Sequence, residues 1–369
     1  MSSVATTVQA RRQNLVSSSI AGLALNVFVP TCRIDLADQH TEHAHARHGS
    51  LEGLGHAHHS ILLSMNRGSR VATMNAQADW RKRLAAARED AGTIFVEHEM
   101  PLGDMVSRAA EPLLGRLAPA GNLVINCQST RESVFGSSNA GRILSEASRS
   151  GLGFTIGQRG LVGGLQALEA VLVLGRNARF SGSALVCAGD RWIDIYPRIL
   201  GDWAMLSDGA AAAAFTLTDG IQANVWVIND RVSCHPLDSG AARERVAPRL
   251  HEELVERLSS FVERVQMQRA GSLAIASPRI CGTLGEDVEA SLAARHPFIV
   301  AGAPNERPHF GAANVLINLH RSVERHRHAH GHETEVAMRA PQGYLVWDCD
   351  PSGLFGAVIV EQSAFDTVN

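Results

Sequence analysis

The sequence predicts an α/β protein with largely buried sheets, and three observations carry that reading. Short apolar runs such as Leu123-Val124-Ile125 and Ala184 to Cys187 are bounded by Gly and polar residues, as expected of strands covered on both faces. Segments with helical spacing alternate with these runs, which is the grammar of a layered α/β fold. The two halves also close alike. Leu206-Ser207-Asp208-Gly209 leads into the apolar run Ala210 to Leu217, and Asp348 to Gly353 leads into Leu354 to Val360. Matching endings point to a duplicated fold.

Residues 1–19 are polar and Ser-rich and read as a loose N-terminus. Ile20 to Val29 is an apolar strand stopped by Pro30. Ala76 to Ala91 is charged and Ala-rich and reads as a helix, as does Met105 to Leu117, closed by Pro119. Asn139 to Ser148 is a third helix. Phe154 to Ile156 is a short strand that enters the turn Gly157-Gln158-Arg159-Gly160, and Leu161 to Leu174 is apolar enough for a fully buried helix. The second half gives strands at Val225 to Ile228, Leu273 to Ala276, Phe298 to Val300, Leu345 to Trp347 and Leu354 to Val360. Its helices run from Ala247 to Gln268, with Leu250, Leu254, Leu258, Phe261 and Val265 on one face, and from Gly311 to Val323.

Composition narrows the function. The 369 residues are 45% hydrophobic and 19% charged, with a net charge of −3. That balance excludes binding driven by neutralising nucleic-acid phosphates, and it excludes charge-driven disorder. No run of eighteen apolar residues offers a membrane-spanning helix. Arg11-Arg12 precede Ile20 to Val29, but Ser17 to Ser19 interrupt and no small-residue cleavage site follows, so a secretory signal is not expected. Six scattered cysteines without a CxxC pair read as reduced intracellular thiols, giving a cytoplasmic expectation. Of 17 histidines, seven lie between His40 and His59, and His326, His328, His330 and His332 alternate. Imidazoles suit transition metals, but alternation without a companion Cys or Asp frame does not define a tetrahedral site, and no metal or cofactor is expected.

The order of the pieces resembles the thiolase-like superfamily, specifically its beta-ketoacyl-ACP synthase III branch. Four places carry the likeness: Leu123 to Thr130, a buried strand with a Ser-Thr turn; Ile156 to Leu168, the strand-turn-helix that presents the family's nucleophile; Leu206 to Phe215, the family's Asp-Gly strand turn; and Arg307 to Leu319 with Pro351 to Val360, the family's Asn-bearing helix start and Gly-rich final strand. The resemblance spans Ile20 to Glu361. It implies a five-layer αβαβα sandwich of two similar halves, residues 20–218 and 219–369, and a dimer. The implied chemistry is acyl transfer from a CoA or carrier-protein thioester to a Cys at a helix N-terminus, where the helix dipole favours the thiolate.

The three catalytic positions depart from that pattern. The slot of the Cys holds Leu161 when aligned on Gly163 and Gly160 when aligned on Ile156. The slot of the His, after Leu273 to Ala276, holds Ser277. The slot of the Asn holds His309. The resemblance therefore implies a degenerate, non-catalytic subunit that pairs with an active ketosynthase, as homodimer or heterodimer, in fatty-acid-, polyketide- or quinolone-type biosynthesis. The alternative is an acyltransferase with a non-standard site, in which Ser277 or Cys281 is the candidate nucleophile and His309 the base. Arg159, Gly160, Leu161, Gly311 and Gly353 are the expected substrate-contacting positions. Outside the resemblance, Gly136-Ser137-Ser138-Asn139-Ala140 lacks the last Gly of a nucleophile elbow, and Gly157, Gly160 and Gly163 do not spell a dinucleotide loop.

Overall fold

The computed structural model describes residues 15–35, 93–130, 138–157, 159–175, 182–192, 203–217, 223–233, 243–266, 271–301, 308–329 and 341–365. The first half supplies strands β2 (Ile20–Phe28), β5 (Asn122–Gln128), β6 (Gly151–Gly157), β7 (Ser183–Asp190) and β8 (Gly209–Leu217). They form one sheet in the order β2-β8-β7-β5-β6, with β5 parallel to β6 and β7, and β8 antiparallel to β7 and β2. The second half repeats this with β9 (Val225–Arg231), β10 (Leu273–Ala276), β11 (Ile299–Val300), β12 (Gly343–Cys349) and β13 (Leu354–Glu361) in the order β9-β13-β12-β10-β11. Here β10 is parallel to β11 and β12, and β13 is antiparallel to β12 and β9. The echo between residues 206–217 and 348–360 marks equivalent strands, β8 and β13.

Among the described residues, six helices fill three layers around the two sheets. Helices α1 (Leu102–Ala110) and α2 (Asn139–Glu146) cover the outer face of the first sheet, against Val124, Leu185 and Cys187. Helices α4 (Arg243–Gln266) and α5 (Leu284–Arg295) cover the outer face of the second, against Trp226, Leu345 and Trp347. Between the sheets lie α3 (Gly163–Gly175) and α6 (Asn314–Ala329), each entered through a short 3-10 turn, at Gly160–Val162 and Gly311–Ala313. Their side chains join residues of both sheets in one apolar core. The result is the expected five-layer αβαβα sandwich. The strands alternate so that Ala211 and Ala213 of β8 enter the middle core while Ala210, Ala212 and Ala214 enter the outer one.

Several elements differ from the sequence reading. Residues 16–18, within the expected loose end, form β1 (Val16–Ser18), which pairs antiparallel with β9 and so adds a strand to the second sheet. Strands β3 (Arg33–Asp35) and β4 (Thr93–Phe95) pair as a small separate sheet. Helix α5 was not anticipated: Leu284, Val288 and Leu292 repeat every four residues and are buried, but Gly285 and the acidic residues between them dilute the pattern. The expected helix at Ala76 to Ala91, the histidines from His40 to His59, and His330 and His332 lie outside the described residues. Among the described residues, no group of three or more metal-ligating side chains converges, and no helix is long and apolar enough to cross a membrane.

Candidate functional site

The two central helices start side by side, and the internal symmetry of the fold governs the site. Gly160 and Gly311 open the two 3-10 turns with φ of +58° and +57°. Each sits under a carboxylate delivered by the other half. Asp190, the last residue of β7, reaches across so that its Oδ2 accepts a hydrogen bond from Ala312 N at 2.7 Å. Asp350, just beyond β12, reaches back so that its Oδ2 accepts one from Leu161 N at 3.0 Å. A Cβ on Gly160 would overlap the Asp350 carboxylate, and a Cβ on Gly311 would overlap that of Asp190. The carboxylates thus satisfy amides that helix starts leave without intrahelical partners, and the turns must be glycine. The turns also touch each other: a Cβ on Gly164 would strike the carbonyl oxygen of Ala312.

Asp190 is completely buried, and its Oδ1 also accepts from Ser129 N, Thr130 N and Thr130 Oγ1. Burial pushes its carboxyl above the ordinary carboxylate value, and the four hydrogen bonds oppose that rise. Burial pushes the nearby Cys127 thiol well up, with Asp190 adding to the effect, and its Sγ donates to the carbonyl of Cys187 at 3.3 Å. Cys127 is therefore not a ready thiolate.

Gly160 and Leu161, the two positions that the sequence resemblance aligns with a nucleophile, carry no nucleophilic side chain. Leu161 is buried in the apolar cluster that includes Trp203, Leu206, Ile280 and Cys349. Gly160 is overlain by Asp350. Arg159 is exposed just before the turn. Gly353, with φ of +86°, closes the loop that carries Asp350, its N–H donating to the Asp350 carbonyl at 2.8 Å. The structure thus brings Gly160, Leu161 and the loop ending at Gly353 together, and sets Gly311 beside them.

His309 precedes Gly311 and is buried. Its Nε2 lies 3.0 Å from both oxygens of Asp348, and its Nδ1 accepts from Gly311 N at 3.0 Å. That pattern defines a neutral ring protonated on Nε2, donating to Asp348. Asn314 Nδ2 also donates to Asp348, at 2.9 Å. Ser277 is buried at the end of β10, and its Oγ accepts from Trp347 Nε1 at 2.9 Å. Ser277 and His309 are therefore tied to successive residues of β12, Trp347 and Asp348, whose side chains leave the strand on opposite faces. Asp190, Asp348 and Asp350 were missed as site residues. The available signal was that β7 ends in Asp190 after an otherwise apolar run, and that Asp348 and Asp350 flank Cys349, the last residue of the apolar β12.

A duplicated five-layer sandwich whose paired central helices meet beneath two strand-end loops is the thiolase-like fold, and solved structures carry it. The chain is similar to a 3-oxoacyl-(acyl carrier protein) synthase III, FabH, from Pseudomonas aeruginosa PAO1, with TM-score 0.56 and 14% identity over 96% of this chain and 99% of that one. It is similar to ChlB3, described as an acyltransferase, with TM-score 0.62 and 16% identity over 94% and 97%. It is also similar to the beta-ketoacyl-ACP synthase III of Thermus thermophilus, with TM-score 0.58 and 13% identity over 93% and 99%. The sequence matches no protein-family model and no curated protein.

Proposed function

We propose that this protein is a non-catalytic ketosynthase III-like subunit that pairs, as a cytoplasmic homodimer or heterodimer, with a thiolase-fold chain in acyl-chain biosynthesis. One observation carries the reading: Gly160, at the start of the central helix, lies directly under the Asp350 carboxylate, and the neighbouring Leu161 is packed into an apolar cluster. A covalent acyl intermediate needs a nucleophile at that helix start, and this geometry leaves neither the side chain nor the space for one. Both nitrogens of His309 are engaged inside the protein, which fits a structural part for that residue. The synthase III likenesses bring acyl-CoA and acyl-carrier protein as the candidate ligands of the assembly.

The test is intact-protein mass spectrometry after exposure to a panel of acyl-CoA thioesters, combined with turnover assays on the isolated chain. We expect no acylation of residues 159–164 and no condensation or transfer until a Cys-bearing partner is added. Turnover by the isolated chain would overturn the reading. It would favour the second one, an acyltransferase drawing on Ser277 and His309, which the likeness to an acyltransferase supports.

A further inference from the structure

We propose that the cavity beside β10 is a binding site for a small multiply charged anion, a phosphate or a compact polycarboxylate. The cavity measures about 180 Å³ and is lined by the end of β10 and the loop after it, by Ala301 just past the two-residue edge strand β11, and by residues of α5 and α6. A water occupies about 30 Å³ of liquid, so the space suits roughly six waters or one small anion. It is smaller than the roughly 300–1,000 Å³ of pockets for larger organic ligands.

Three guanidinium side chains converge on it: Arg279 from the loop after β10, and Arg321 and Arg325 from α6. Arg321 is half-buried and lies over the Phe310 ring, 5.0 Å from its centroid, which holds the side chain against the wall. Asn318, Arg321, Ser322 and Arg325 follow the i, i+3, i+4, i+7 rule, so they lie along one face of α6. Asn318 and Ser322 are themselves buried. Guanidinium forks with flanking amide and hydroxyl groups match the oxygens of a phosphate or carboxylate.

Two carboxylates, Glu286 and Glu289, line the same cavity, leaving a net charge of 3 − 2 = +1 among these groups. Glu286 is exposed and its charge is screened by water, while Glu289 is half-buried and its charge is screened less. Glu289 therefore sets the affinity, and its neutralisation strengthens binding.

This inference is independent of the non-catalytic reading, because it concerns equilibrium binding and no turnover. The experiment is titration of the full chain with inorganic phosphate and, separately, citrate, read by calorimetry and thermal shift, with sodium chloride at matched ionic strength as reference. We expect saturable binding of at least one probe, and the probe that binds identifies the phosphate or the carboxylate class. Arg325 is exposed at the rim, so Arg325→Gln should keep the fold and weaken binding about tenfold, in line with loss of one charge-assisted hydrogen bond. Arg321→Gln should weaken it at least as much, and Glu289→Gln should tighten it several-fold. If these arginines served only internal ion pairs, Glu289→Gln would give no tighter binding. Responses equal to those of sodium chloride, or affinities unchanged in both arginine variants, would overturn the proposal.

Discussion

Gly160 and Gly311 show how a single residue type can decide a site. At φ near +58° a side chain costs about 1–2 kcal/mol, and here it would also meet a carboxylate held by the opposite half. Gly160→Ala should therefore lower the urea midpoint clearly. Its cost should shrink in an Asp350→Ala background, where the overlap is gone; an equal cost in both backgrounds would show that Asp350 is not the obstacle. Asp190 gives a pH signature. Its carboxyl is raised in the folded state, so its contribution to stability is fully present below the ordinary Asp value and is lost as pH rises through the folded one. Stability against urea should fall across that window in the parent, and the Asp190→Asn variant should lack that part of the dependence. The thiols divide by burial. Cys127 and Cys349 are buried and pushed well up, and Cys187 likewise, whereas Cys32 is exposed with its Sγ 3.2 Å from His98 Nε2. Among the described cysteines, iodoacetamide should label Cys32 first in a peptide mass map, and earlier labelling of Cys127 would contradict the packing of the middle layer.

At the scale of elements, the strands of the two main sheets were legible because a strand covered on both faces must be apolar throughout, as Leu123 to Ile125 and Val358 to Val360 are. What stayed hidden was short or diluted. β1, β3 and β4 have three residues each, too few for a period, and the buried face of α5 is narrow. The site divides in the same way. Gly160, Leu161, Ser277 and His309 were singled out from the order of motifs along the chain; the structure sets Gly160 and Leu161 beside Gly311, and ties Ser277 and His309 to opposite faces of β12. Asp190 and Asp350 were not, because their roles depend on partners 122 and 189 residues away, which no local pattern records. The alanines of β8 are a case where residue size was legible and its reason was structural. Ala212 faces the outer core with α1 packed over it, while Ala211 and Ala213 face the middle layer. Ala212→Leu should push α1 off the sheet and cost about 1–3 kcal/mol, measured by urea denaturation. A neutral result would mean that the α1 layer is loosely packed.

At the scale of the whole molecule, the sheet edges say where the proposed second subunit would sit. A long bare edge offers unpaired backbone groups to another chain, and proteins usually shorten or cover such edges. The second sheet ends in β1 and β11, with three and two residues. The β2 edge of the first sheet is met at Leu23 by a bridge from Phe365. The β6 edge differs: it is seven residues long, pairs with β5 alone among the described strands, and is largely open to solvent. The two exposed large hydrophobic side chains of the described residues are Leu152 on β6, 45% exposed, and Val173 on the adjacent α3, 44% exposed. An apolar edge that no other described strand covers, where every other main edge is short or bridged, is where a second thiolase-fold chain would continue the sheet. Leu152→Lys places a charge on that edge without touching Gly160, Asp350 or the middle core. Light scattering should then give the mass of one 39.5 kDa chain where the parent gives two. If the parent is itself monomeric, the same substitution should abolish co-purification with a Cys-bearing partner. Association that survives both Leu152→Lys and Val173→Glu would mean that subunits meet elsewhere, and the pairing geometry inferred from β6 would be wrong.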